Sequence, residues 1–269
     1  MNTNFGIMQG RLLPKFKNQY QAHPINNWEK EFDIAEQLNL KSIEFIFDYH
    51  LYSFNPLMSD IKYLKDFLRS KNVKVKSICA DFYMNAPIQE ASKRELSFYG
   101  DILDKLISNL SSIGGNNIVI PLVDNSSLKS KNDQLKVKQF LDEFIDTCKR
   151  NRVSIAIESD LKPKEFMKFL DLFDGDHISV NYDSGNSASL GYSFSEEINL
   201  YGDRISNIHI KDRLINGGPV FLGEGNADLK TLKDYINKSK YQGLVIFQAY
   251  RDENGLEIFK QQFDYFKNL

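Results

Sequence analysis

Eight short runs rich in β-branched and aromatic residues recur at intervals of roughly 25–40 residues, and this rhythm constrains the fold more than any other feature of the chain. The runs span residues 5–9, 42–47, 74–79, 117–122, 153–158, 177–183, 205–210 and 244–248. Stretches of helical period separate them. Trp28, Phe32, Ala35 and Leu38 step along one helix face, and Ile61, Leu64 and Leu68 repeat the spacing. Leu96, Tyr99, Leu103, Leu106, Leu110 and Ile113 form a longer stripe, with Gly114 and Gly115 as its stop. Val137, Phe140, Leu141, Phe144, Ile145 and Cys148 read as a fourth helix. Weaker patterns cover 164–172, 195–200 and 228–238, and Phe259, Phe263 and Phe266 close the chain.

Strands alternating with helices predict βαβ units and a parallel sheet. Eight such units in 269 residues match a (β/α)8 TIM barrel, whose usual size is about 250 residues. A doubly wound open sheet is the competing fold. It calls for a glycine-rich phosphate turn after the first strand, and the turn here, Gln9-Gly10-Arg11-Leu12-Leu13-Pro14, has no GxGxxG. No linker or low-complexity tract interrupts the pattern, so residues 1–269 read as one domain.

A parallel strand covered on both sides is normally apolar throughout. Four of these are not, and their polar residues keep a period of two. Ser42 and Glu44 alternate with Ile43 and Phe45. Ser154, Ala156 and Glu158 alternate with Val153, Ile155 and Ile157. Ser179, Asn181 and Asp183 alternate with Ile178, Val180 and Tyr182. Asn207 and His209 alternate with Ile208 and Ile210. The large apolar face is expected to pack on the helices and the polar face to point into the barrel, where a carboxylate must be paired, protonated or bound to metal. In such barrels the active site lies at the carboxyl ends of the strands. The last inward residues of four consecutive strands are Glu158, Asp183, His209 and Gln248. Hard oxygen donors with one imidazole suit a divalent ion such as Mn2+, Mg2+ or Co2+ better than a thiolate-bound zinc; Mn2+ is the favoured ion, and Zn2+ stands with Mg2+ and Co2+ as an alternative.

Charge excludes other classes. Lys and Arg number 34 against 36 Asp and Glu, for a net charge of −2, so no basic excess favours a nucleic-acid partner. Apolar runs reach about six residues, short of the ~20 a membrane span needs. The segment MNTNFGIMQGRLLPK has no basic stretch leading into an apolar one, so a cytoplasmic setting is expected. Cys79 and Cys148 lie in no CxxC or Cys/His cluster. His23, His50 and His177 are read as structural, His177 because it begins the sixth strand, at the end of the barrel away from the site.

The motifs Gly6-Ile7-Met8-Gln9-Gly10-Arg11-Leu12, Ile43-Glu44-Phe45, Ile157-Glu158-Ser159, Asn181-Tyr182-Asp183-Ser184-Gly185-Asn186, His209-Ile210-Lys211-Asp212 and Leu222-Gly223-Glu224-Gly225 occur in this order. Together they resemble the xylose-isomerase-like barrels, in particular the sugar phosphate isomerase/epimerase group, which includes ketose 3-epimerases, hydroxypyruvate isomerases and inosose dehydratases. The resemblance covers essentially the whole chain. It implies a divalent metal held by Glu, Asp, His and Glu from the fifth to eighth strands, with the two glutamates also serving as bases on opposite faces of a sugar. Glu158, Asp183 and His209 match. The eighth-strand glutamate does not: Gln248 stands there. A carboxamide can ligate through oxygen but takes no proton at neutral pH. A second base would then come from Glu44, Asp81 or Glu224, or the reaction uses one base, as aldose–ketose isomerisation can. Dehydration next to a carbonyl starts with the same proton abstraction, and a sugar-binding barrel without turnover is the non-enzymatic reading. Endonuclease IV shares the fold, but its histidine-rich three-metal cluster and DNA surface do not fit four histidines and this charge.

Arg11, Lys211, Arg213 and Arg251 follow strand ends, where cationic groups suit phosphate or carboxylate recognition, and Asp81 follows the third strand at the rim for substrate hydroxyls. The connection 212–226, with Gly217, Gly218, Gly223 and Gly225, is long enough for a lid or binding loop, or for a glycine-pinned hairpin. A small sugar is the expected partner, without nucleic acid or membrane, and homo-oligomerisation is left open.

Overall fold

The computed structural model describes residues 5–238 and 241–269. Eight parallel strands close a barrel: Phe5–Met8, Ser42–Ile46, Ser77–Cys79, Asn117–Leu122, Ser154–Ser159, Ile178–Asp183, Ile205–Ile210 and Leu244–Phe247. Each pairs with its neighbours in chain order, and the first pairs with the eighth. The fold is the expected TIM barrel.

The ladder shows why the polar residues share a face. Gly6 stands opposite Ser42 and Met8 opposite Glu44. Ala156 faces Ser179, and Pro121 faces Glu158. Asn207 pairs with Leu244 and His209 with Ile246. Period-two alternation therefore runs in one phase around the barrel. Gly6 permits close approach, since a Cβ there would lie 2.3 Å from Ser42 Oγ and 2.6 Å from an Ile246 methyl.

The chain forms two compact units. One comprises Met1–Glu44 with Asn181–Leu269, the other Phe45–Val180. In the first, Trp28–Gln37 buries Trp28, Phe32 and Ala35, and Gly255–Asn268 buries Phe259, Phe263 and Phe266. Phe247 meets Phe259, Phe263 and Phe266 edge-on, with centroids 5.1 to 5.8 Å apart. In the second, Lys93–Ser112 starts on a capping box between Ser92 and Glu95 and buries Leu103, Leu106, Ile107 and Leu110.

Two predicted elements change, and for a third the structure selects one of the two expected forms. The third strand is shorter than 74–79, since only Ser77–Cys79 holds regular pairing. The predicted helix through Val137 and Cys148 breaks into Lys131–Asp142 and Ile145–Asn151, because Phe144 N–H turns back to Leu141 O in a tight three-residue step. The connection 212–226 is a pinned hairpin: Asp212–Arg213 pairs antiparallel with Pro219–Val220. Buried Asp212 accepts from the N–H groups of Arg213, Gly223, Gly225 and Ala227, at 2.9 to 3.0 Å. Among the described residues no helix is long and apolar enough to cross a membrane.

Candidate metal centre

The inward phase delivers the polar side chains to the carboxyl ends of the strands. Gln248 lies one residue past the eighth strand, yet its N–H still bonds Ile210 O at 3.0 Å, which fixes it at the rim. Asp183 ends the sixth strand and caps the next helix, Ser184–Ser189, by accepting from Asn186 N–H at 2.7 Å. Ser184 ties the sixth and seventh strand ends: its hydroxyl lies 3.1 Å from His209 O and accepts from Lys211 N–H at 2.9 Å.

Glu158, Asp183 and His209 are all buried, and each offers one ligand atom within 4.8 Å of the others. Among the described residues no other group of His, Cys, Asp and Glu gathers its donors in this way. The set fits a divalent cation, because two carboxylates and an imidazole held this close would otherwise bring like charges together out of water.

His209 is oriented from behind. Its Nε2 donates to Glu44 Oε1 at 2.7 Å, and the other Glu44 oxygen accepts from Asn207 Nδ2 at 2.8 Å. A carboxylate on Nε2 fixes the proton there and leaves the lone pair on Nδ1. Nδ1 lies 3.1 Å from Asn181 Nδ2 and 3.9 Å from Asp183 Oδ2.

Lys211 runs along the rim. A Cβ on Gly185 would stand 2.7 Å from its Cγ, so glycine is what lets the stem lie there. Its ammonium sits 3.4 Å from Asp183 Oδ2, 3.2 Å from Asn186 Oδ1 and 3.4 Å from Gln248 Oε1. Arg213 also donates to Asn186 Oδ1, at 2.8 Å, while its remaining fork binds Gly217 O. Gln248 turns its NH2 to Gln21 Oε1 at 3.0 Å.

This geometry bears on the other expected site residues. Glu44 points into the barrel as its phase requires, but both oxygens are engaged by His209 and Asn207 at zero exposure, so it is not open to a substrate proton. Glu224 is exposed on the hairpin loop and does not join the triad. Arg11 and Arg251 are not open forks. Arg11 donates to Ala249 O, Tyr20 O and Gln21 Oε1, and Arg251 donates to Leu13 O. Both are buried, because the loop after the first strand leaves carbonyls that need donors. Asp81 accepts from Cys79 Sγ at the end of the third strand and stands outside the triad.

Sequence reasoning missed Gln21, Asn186, Asn207 and Glu31. Glu31 is fully buried and accepts from Gly10 and Leu12 N–H at 2.8 and 3.1 Å. Burial pushes its carboxyl up to about 7, against those two N–H groups and the nearby Arg251 and Arg11. Its signal was present: it lies three residues after Trp28 and four before Ala35, on the apolar stripe. His23 is buried with Nδ1 2.8 Å from Gln9 Oε1, and burial lowers it to about 4, so it is neutral. His177 precedes the sixth strand, its Nδ1 3.4 Å from Val153 O.

A sequence profile described as "Xylose isomerase-like TIM barrel" matches residues 32–269. The chain belongs to this family. A Haemophilus influenzae protein, provisionally named L-ribulose-5-phosphate 3-epimerase SgbU, is 23% identical over 253 residues, covering 87% of this chain and 88% of the relative. Among solved structures, D-allulose 3-epimerase from Methylomonas sp. superposes with a TM-score of 0.77 at 14% identity, covering 99% of this chain and 97% of that one. The IOLI protein with a bound zinc atom superposes with a TM-score of 0.75 at 14% identity and 98% coverage of both chains. These likenesses establish the xylose isomerase-like barrel as the shared fold.

Proposed function

We propose that the chain is a single-domain cytoplasmic enzyme that isomerises or epimerises a small sugar with the help of a divalent metal. The gathering of Glu158, Asp183 and His209 donor atoms within 4.8 Å carries this reading. The epimerase names of the family relatives and the zinc in one of them support it. Glu158, Asp183 and His209 would hold the ion, with Gln248 as a fourth donor. Mn2+ suits the oxygen-rich set best, and Mg2+, Co2+ and Zn2+ are the alternatives. When bound, such an ion polarises a carbonyl as a Lewis acid.

The chain's own residues do the rest. Glu158 removes the proton from the carbon next to the carbonyl and delivers it to the former carbonyl carbon, which isomerises the sugar, or passes it to a second group, which epimerises it. Glu44 and Asn207 keep His209 in the tautomer with Nδ1 facing the site. Lys211 and Arg213 present cationic donors to substrate oxygens, a phosphate included. Gln248 cannot accept the proton on the opposite face, which favours chemistry with one base. The same feature favours dehydration as the second reading, since loss of water also begins with one abstraction.

The test is exchange of substrate C–H for deuterium across a panel of ketoses and ketose phosphates with Mn2+ present. Exchange without net loss of water is expected for the wild type, and Glu158→Gln should slow it by at least ~100-fold with the fold intact. Unchanged exchange in Glu158→Gln would place the base elsewhere. Loss of water would select the dehydratase.

A further inference from the structure

We infer that Gln21 is a positioning residue for Gln248, and that a directed amide relay from Arg11 through Gln21 holds the Gln248 oxygen toward Lys211, whose ammonium also meets Asp183. The inference rests on the metal-dependent reading, in which Gln248 is the fourth donor. The two ends of a carboxamide are nearly equal in shape, so hydrogen-bond partners alone decide which end faces a site.

At one end of the relay stands Arg11, a group that only donates. It is 2% exposed. Its Nε and Nη1 are spent on Ala249 O and Tyr20 O, at 3.1 and 3.2 Å, and its guanidinium lies over the Tyr20 ring at 5.1 Å. Nη2 then meets Gln21 at 3.0 Å and demands an oxygen there. The residues on either side of Arg11, Gly10 and Leu12, are clamped by the Glu31 carboxylate, so the relay starts from a fixed point.

The same Gln21 oxygen receives Gln248 Nε2 at 3.0 Å. Only the NH2 end of Gln248 can meet it. The opposite end is thereby turned to Lys211 Nζ at 3.4 Å, and that ammonium also lies 3.4 Å from Asp183 Oδ2. Lys211 likewise only donates. With a donor-only cation at each end, one direction satisfies every pair, and reversing either amide sets donor against donor. A carboxylate at position 248 would need no such device, because its two oxygens are equivalent. The relay belongs to the amide that stands where the family resemblance implies glutamate.

Two measurements test this. The first needs no metal: the side-chain NH2 signals of Gln248 in nitrogen-15 spectra, identified by their loss in Gln248→Glu. In Gln21→Met these signals should shift, and their exchange with water should quicken about tenfold, while Gln21→Glu, which keeps an acceptor oxygen, should restore the wild-type behaviour. Signals that ignore Gln21→Met overturn the relay. The second is Mn2+ affinity by calorimetry. Gln21→Met should weaken it about tenfold in the wild-type background. In the Gln248→Glu background the loss should shrink to less than about twofold. Equal losses in both backgrounds mean that Gln21 acts through general structure, and the relay is overturned. A wild type that takes no Mn2+ while its Gln248 signals still respond to Gln21→Met sinks the metal reading and leaves the relay standing.

Discussion

Gln248 is the residue at which this chain departs from the carboxylate set implied by its resemblance. Replacing it by glutamate adds one negative charge beside Lys211 and Asp183. Gln248→Glu is expected to tighten Mn2+ binding about tenfold, a difference of about 1.4 kcal/mol, and to introduce proton exchange on the second face of the substrate. Calorimetry and the stereochemistry of C–H exchange check both. Affinity left unmoved would remove Gln248 from the donor set, and two-face exchange already present in the wild type would defeat the one-base reading. Glu44 teaches the converse lesson. Its inward orientation was legible from its phase with Ser42, but its task was not, because its partners Asn207 and His209 lie 163 and 165 positions away in the chain. As the carboxylate that sets the His209 tautomer, Glu44→Gln should weaken Mn2+ binding by about 10–100-fold while Glu158 and Asp183 remain in place. An unchanged affinity would mean that His209 needs no such partner.

Among the elements, the loop between the first strand and Trp28–Gln37 carries the least expected chemistry. Arg11 looked like a substrate fork because it follows a strand end, and strand ends are where such forks occur. The backbone around it decides otherwise, since Tyr20 and Ala249 carbonyls take its donors. Glu31 makes this loop sensitive to pH. Its carboxyl moves from 4.5 to about 7 in the fold, chiefly by burial. The folded state therefore holds the proton more tightly than the unfolded chain. The resulting stability is fully present below pH ~4.5 and is lost as pH rises through about 7, to the extent of about 3 kcal/mol. His23 acts in the opposite sense at lower pH: lowered to about 4, it costs stability as pH falls from 6.5. Glu31→Gln should flatten the fall in Tm between pH 5 and 8. A Tm profile as steep as that of the wild type would contradict this origin. The hairpin after the seventh strand was half legible. Its glycines marked tight turns, but only the position of Asp212 against three loop N–H groups distinguishes a stapled loop from a mobile one.

At the scale of the molecule, the barrel was legible because two periods coexist in the chain. The helical stripes predicted the outer layer, and the period-two polar residues predicted which strand face turns inward. Parallel pairing in chain order then has little choice but to bring Glu158, Asp183 and His209 to one end. What stayed hidden were the amide and hydroxyl groups that hold these residues in register, such as Ser184 and Asn207, since their types are common on any polar surface. The metal centre is tested most directly by diffraction from crystals soaked in Mn2+, with data collected on both sides of the manganese absorption edge. A single strong anomalous peak within about 2–2.6 Å of Glu158, Asp183 and His209 donor atoms is expected. No peak at that triad, or a peak held by other residues, would contradict the metal centre.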